Sequence, residues 1–281
     1  MHLSNLHTHT AYCDGKYGAE DMILAAVNSN FQSIGISTHG PTPFFSDWNI
    51  QAGHVNKYIE EVTYLKEKYK SSIEVFLGME LDYIPGIGFD ELSLSLIDKL
   101  DYYIGSVHYL GYFKNGVMWT VDYNLDELTR GINECFKGDA RMAVETYYNV
   151  ISEMAFKHQP PIIGHLDLFK KNNKENALFD EREEWYVRAV DSCLDVIKNT
   201  CSSIEVNTGG IARGYTTEQY PSTFILKMIR EKNIPIVINS DAHKVDGIDC
   251  KFDEMYSLVR SLGFEKLNYL TKDGWTTQNL N

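Results

Sequence analysis

No apolar run in the chain reaches the roughly 18 residues that a membrane-spanning helix needs, and no charged N-terminal stretch followed by an apolar one reads as a secretory leader. Cysteine is scarce. Cys13, Cys135, Cys193, Cys201 and Cys250 are odd in number and form no CxxC pair. That pattern argues against a disulfide framework and reads as reduced, mostly buried thiols in a cytoplasmic protein. Positive charge is also short: 26 Lys and Arg stand against 39 Asp and Glu, for a net charge of −13. The longest basic run, FKKNNK at 169–174, reads as a solvated loop, so no nucleic-acid-binding track is evident. An acidic chain that takes an anionic ligand needs concentrated local positive charge, and bound metal ions are its strongest source. Internal repeats, low-complexity tracts and Pro/Gly/Ser-rich linkers are missing as well.

What is present is an ordinary globular composition, 43% hydrophobic and 23% charged. The 281 residues fit either two domains or one large barrel. Short β-branched runs at 3–7, 33–38, 73–80, 102–107, 162–165, 204–207 and 234–239 read as strands. Between and after them lie helical patterns at 19–30, 54–69, 90–100, 139–158, 180–199, 221–233 and 253–264, with Pro221 suited to a first helical turn. Strands alternating with helices predict a parallel sheet. Seven units without a break favour one (β/α)7 barrel, a single domain over 1–281, over a doubly wound sheet. The Gly-rich loop that marks many doubly wound sheets after the first strand is missing; HTH stands there instead.

The strand ends carry the chemistry. His7 and His9 end the first strand, His39 the second, Glu80 the third, His108 the fourth, His165 the fifth, and Asp241 with His243 the seventh. In a barrel that C-terminal edge is where active sites are built. Residues at i and i+2 of a strand share a face, with Cα atoms roughly 6.5 Å apart, so His7/His9 and Asp241/His243 can each close on one ion. Asp14 follows in the loop after the first strand. Six of the nine histidines and three carboxylates therefore fall at equivalent positions. His2, His54 and His158 read as structural or surface residues. Nine ligands exceed the needs of one ion and suggest two or three. Imidazole mixed with carboxylate, without cysteine, suits zinc, iron or manganese.

The segments HTHTAYCDG, STHG, GMELDY, GSVHYL, GHLDL and NSDAH, in this order, resemble the polymerase and histidinol phosphatase (PHP) family over essentially the whole chain. STHGPTPF and NTGGIARGYTTEQYPS are similar to its stand-alone histidinol-phosphatase branch. The resemblance implies a distorted seven-stranded α/β barrel with metals at the C-terminal ends of the strands. It implies one ion held by His7, His9, Glu80 and Asp241, a second by Glu80, His108 and His165, and a third by Asp14, His39 and His243. Some relatives place a histidine where Asp14 stands. The implied activity is hydrolysis of L-histidinol phosphate in histidine biosynthesis by a hydroxide bridging two ions. Asp241 or His243 is the expected proton donor to the leaving alcohol. Arg213, after the sixth strand, is expected to hold the phosphate through paired hydrogen bonds. Asp47, Asp82, Phe44, Phe45 and Trp48 are candidates for the cationic histidinol end. Two other readings stay open, a phosphoesterase for other phosphate esters or nucleotides and a non-catalytic metal-binding or polymerase-associated module. The expected partner is a small phosphate ester, with neither nucleic acid nor membrane; the oligomeric state is left open.

Overall fold

The computed structural model describes residues 3–280, so His2, read above as structural or on the surface, lies outside the described residues. A ring of short parallel strands carries the fold: β1 (Ser4–Asn5), β2 (Ser33–Ile36), β3 (Glu74–Leu77), β4 (Glu80–Asp82), β5 (Ile104–Ser106), β8 (Ile162–Ile163), β9 (Ser203–Asn207) and β10 (Ile236–Asn239). They pair as β1-β2-β3 and as β10-β9-β8-β5-β4. Two isolated parallel bridges join these sheets, His39 to Glu80 and Thr8 to Ala242. The result is a distorted seven-stranded barrel in which β3 and β4 are one strand broken at Gly78–Met79.

The breaks have local causes. The predicted strand 3–7 pairs over only two residues because the Leu6 amide donates to the Asn239 side chain (2.7 Å) and the His7 amide to Asn5 Oδ1 (3.2 Å). The strand 162–165 shortens likewise, since the His165 amide turns to Glu205 Oε2 at 3.0 Å. Side chains thus take over ladder bonds where the site begins, as the requirement to pair buried amides demands.

Alternation sorts the strand residues into two cores. Ile34, Ile36, Val75, Leu77, Ile236 and Ile238 pack with the helices in the large cluster, while Phe76, Ile162 and Val237 join Leu6, Tyr102 and Ile104 in a separate one inside the ring. Tyr102 occupies space that only glycine leaves: a Cβ on Gly35 would lie 2.0 Å from its hydroxyl oxygen. Helix α1 (Ala19–Asn28) buries Ala19, Met22, Ile23 and Ala26, the i, i+3, i+4, i+7 spacing of one helical face. The other outer helices are α2 (Val55–Tyr69), α3 (Glu91–Leu96), α5 (Ala140–His158), α6 (Glu184–Ile197), α8 (Thr223–Glu231) and α9 (Phe252–Ser261), close to the predicted ranges. Pro221 is a correction: it precedes the N-cap Ser222 of α8 and so lies outside the first turn.

Four features went unpredicted: the hairpin β6 (Tyr109–Tyr112) and β7 (Met118–Thr120), helix α4 (Leu125–Phe136), the short α7 (Gly209–Ala212), and the C-terminal hairpin β11 (Lys266–Thr271) and β12 (Gly274–Asn279). Among the described residues no helix is long and apolar enough to cross a membrane. The five cysteines are free, but only Cys193 is buried, which corrects the reading of them as mostly buried filler.

Candidate metal centre

The loops at the C-terminal edge of the ring close over one pocket, a cavity of about 140 Å³ lined by Asp14, His39, Glu80, His108, His165, Asp241 and His243, with Trp48, Asp122, Leu168, Lys171, Arg213 and Tyr215 around them. His7 and His9 lie beneath, fully buried. All nine candidate ligands are thereby brought to one place. Glu80 sits at the middle: Oε2 is 3.1 Å from His7 Nε2, 3.5 Å from His9 Nε2 and 3.0 Å from His39 Nδ1. Its Oε1 is 2.9 Å from His165 Nε2 and 3.7 Å from His108 Nε2. Asp241 Oδ1 is 3.2 Å from His9 Nε2 and 3.7 Å from His7 Nε2. Asp14 completes the mouth, 3.2 Å from His243 Nε2 and 3.9 Å from His39 Nε2.

Among the described residues, three sets have potential ligand atoms within 4.8 Å of one another: His7, His9 and Asp241; His39, Glu80 and His108; and His9, Asp14, His39 and His243. These sets overlap the three implied by the resemblance, with His9 and His39 each shared between two. The donor atoms also fit metal ions by what they lack. His7 Nε2, His9 Nε2 and His39 Nδ1 face the Glu80 and Asp241 carboxylates at 3.0–3.2 Å without hydrogen-bond geometry, and they, His165 Nδ1 and Asp14 Oδ1 are buried with no hydrogen-bond partner among the described residues. Unpaired buried polar atoms are costly, and a cation would satisfy several at once.

The electrostatics of Glu80, Asp241 and His9 points the same way. Burial alone would raise the Glu80 carboxyl, yet His39, His7 and His165 hold it well below the carboxylate range. Asp241 is held low against burial by Arg213 and His7. Burial, with His243 and His39 nearby, pushes His9 well below its usual value, so its ring is neutral and free to donate a lone pair.

A second ring of side chains orients the first. Glu205 Oε1 accepts from His7 Nδ1 at 2.6 Å, and Asn239 Nδ2 donates to the same oxygen at 2.9 Å. Asp82 Oδ1 is 2.5 Å from His108 Nδ1, while Asn49 donates to Asp82 Oδ2 at 2.9 Å. Burial opposes the His108 charge, but Asp82 and Glu80 lift its pKa to about 10. Asp82 is buried and committed to His108, which removes it from the candidates for the histidinol end. His9 Nδ1 lies 3.6 Å from Cys13 Sγ. Gly15 lets this loop fold back, since a Cβ there would lie 2.5 Å from the Thr10 nitrogen. His54 is exposed at the cap of α2, and His158 packs on Phe89 at 4.9 Å between ring centroids.

Arg213 lines the pocket. Its Nη2 is 2.9 Å from Asp241 Oδ2, and its Nη1 donates to the Asp241 carbonyl at 2.9 Å and lies 2.6 Å from His243 Nδ1. Gly209 makes room for this pair, because a Cβ would meet Asp241 Oδ2 at 2.6 Å and Arg213 Nη2 at 2.9 Å. Asp241 itself has φ of 50°, a left-handed conformation that aspartate tolerates better than most residues. Lys171 is a second cation on the rim, 2.9 Å from Asp122 Oδ2. Sequence reasoning placed it in a solvated loop, and the only available signal was its position six residues past His165. Glu205 was missed although it lies in a predicted strand; a carboxylate amid SIEVN was the cue.

The PHP domain family matches residues 5–209 of this chain. A protein of Deinococcus radiodurans named "Probable histidinol-phosphatase" is 29% identical over 265 residues, 93% of this chain and 94% of its own. The histidinol-phosphatase of Bacillus subtilis is 27% identical, over 88% of this chain and 96% of its own. Among solved structures, histidinol phosphate phosphatase of Lactococcus lactis, complexed with zinc, L-histidinol and phosphate, shares the fold with a TM-score of 0.72 at 16% identity, over 98% of each chain.

Proposed function

The chain belongs to the PHP domain family, and on that premise we propose that it is a metal-dependent phosphomonoesterase that hydrolyses L-histidinol phosphate to L-histidinol and phosphate. The observation that carries this reading is the convergence of six imidazoles and three carboxylates on one pocket whose rim holds Arg213 and Lys171. The relatives named above, matched over nearly their whole length, supply the substrate. Histidine biosynthesis follows from that activity, and the five free thiols support a cytoplasmic setting. We read the whole chain as one catalytic domain acting on a small molecule and not on nucleic acid.

His7, His9, Glu80 and Asp241 would hold one ion, Glu80, His108 and His165 a second, and Asp14, His39 and His243 a third, with zinc, iron or manganese all compatible with the donors. Such ions, when bound, supply Lewis-acid charge and lower the pKa of water. Glu205 and Asp82 fix the His7 and His108 rings from behind and so set where their other nitrogens point. Arg213 holds Asp241 as a carboxylate and offers remaining N–H groups to phosphoryl oxygens, with Lys171 on the same rim beside Tyr215. The leaving oxygen needs a proton; Asp241, held ionised by Arg213, has none to give, and His243 is the group assigned to deliver it.

A substrate screen of metal-reconstituted protein tests the proposal. We expect kcat/KM on histidinol phosphate at least about 100-fold above that on nucleotides and p-nitrophenyl phosphate, a gap of about 2.7 kcal/mol in transition-state binding. Equal or greater efficiency on nucleotides would overturn the substrate.

A further inference from the structure

The two cations on the rim of the metal pocket come from different loops. Lys171 follows β8 and Arg213 follows β9, and both lie against one aromatic ring: Lys171 Nζ is 4.5 Å and Arg213 Cζ 5.9 Å from the centroid of Tyr215. Two like charges sharing one ring repel each other, so the loops that carry them need a tie. The segment 212–218 has no fully buried side chain of its own to supply one; Ala212, Gly214, Tyr215 and Thr217 are exposed.

The tie stands one residue before Lys171. Lys170 is buried, and its ammonium lies 2.9 Å from Asp167 Oδ2 and 3.1 Å from Glu218 Oε1. Asp167 is fully buried, and the same Oδ2 accepts from the Ser222 amide at 2.8 Å. Glu218 Oε2 accepts from the Thr223 amide at 3.2 Å. One ammonium thus joins the turn after β8 to the segment that runs from Arg213 into α8. Lys170 and Lys171 both sit in the 3-10 turn Leu168–Asn172, where successive side chains diverge by about 120°. Holding Lys170 inward therefore aims Lys171 elsewhere, and it lines the pocket.

Resting on the phosphate-holding role proposed above for the two rim cations, we propose that Lys170 is a positioning residue: it locks the loop after β8 to the loop after β9, so that Lys171 and Arg213 meet one phosphoryl group as a preset pair. Lys170 does not itself line the metal pocket. A pair held in place beforehand loses less freedom on binding than two loose arms do.

The test uses the metal-loaded protein and reads kcat and KM on p-nitrophenyl phosphate, the inhibition constant of inorganic phosphate, and metal content. Lys170→Met keeps the bulk and removes the charge. It should raise KM and the phosphate constant about tenfold each, while kcat and metal content move by less than about threefold. Lys170→Arg can still span Asp167 and Glu218 and should bring both constants to within about threefold of wild type. Added to Arg213→Ala/Lys171→Ala, Lys170→Met should move the phosphate constant by less than about twofold, because no arm is left to place. Should the uncompensated Asp167 charge keep Lys170→Met from folding, Lys170→Met/Asp167→Asn removes both charges and carries the same expectation. Unchanged constants in the Lys170 variant, a fall in kcat or metal content without a rise in KM, or a further tenfold or so loss on top of Arg213→Ala/Lys171→Ala overturns the positioning role. If Arg213→Ala/Lys171→Ala itself leaves the phosphate constant unchanged, the role proposed for the two cations fails and takes this one with it. A shift there with none in Lys170→Met removes Lys170 alone.

Discussion

Glu205 Oε1 lies 2.6 Å from His7 Nδ1, and Oε2 of the same carboxylate accepts from the backbone amide of His165 at 3.0 Å. One buried side chain on β9 thus fixes the ring of one candidate ligand and the backbone of another, on strands far apart in sequence. Removing the charge while keeping the shape should loosen both. We expect Glu205→Gln to bind zinc about 10–100-fold more weakly, the usual effect of losing an outer partner of a ligating histidine. Competition with a chromogenic chelator measures it, and wild-type affinity would show that Glu205 serves packing alone.

That pair also marks the limit of what the sequence discloses. The nine clustered residues were legible because strand ends repeat a pattern, HxH in the first and DxH in the seventh, and a barrel gathers its strand ends. Glu205 was not, because its role depends on which strands become neighbours. Asp82 was misread for a related reason: two residues past Glu80 it shares a strand face with it, yet only the fold shows the carboxylate buried against His108. Asp122 and Lys171 meet across 49 residues through the β6–β7 hairpin and the loop after β8. The hairpin strands are three and four residues long, too short to give a periodic signal.

Arg213 is the next test, because its guanidinium serves two partners at once. It is bound to Asp241 Oδ2 and to the Asp241 carbonyl, both at 2.9 Å. Lysine keeps the charge but cannot make both contacts and still face a phosphoryl group. Arg213→Lys should raise KM and the inhibition constant of inorganic phosphate together, by about tenfold, the equivalent of about 1.4 kcal/mol. If neither constant moves, Arg213 holds Asp241 only.

Proton delivery separates substrates by leaving group. An alkoxide needs a proton far more than an aryl oxide does, and positioned acids contribute about 10²–10⁴-fold. In His243→Ala, kcat on histidinol phosphate should fall in that range while kcat on p-nitrophenyl phosphate falls much less. Metal content is measured on the same samples, because His243 also belongs to the set around Asp14. Equal losses on both esters at equal metal content would remove the acid role from His243.

Glu181, in the loop before α6, supplies a prediction that does not depend on metal. Burial pushes its carboxyl up to about 7, with Asp167 and Glu218 adding to the shift and Lys170 opposing it. Its ordinary value is 4.5. Between those two values the folded chain keeps a proton that the unfolded chain has released, so stability from this group is full below about pH 4.5 and is lost as pH rises through about 7. Glu181→Gln has no proton to lose. Urea midpoints at pH 5 and pH 8 should therefore show the wild type weakening relative to the variant, by on the order of 1 kcal/mol once partial solvent exposure is allowed for. Parallel behaviour of the two proteins across that range would mean that Glu181 titrates as an exposed carboxylate.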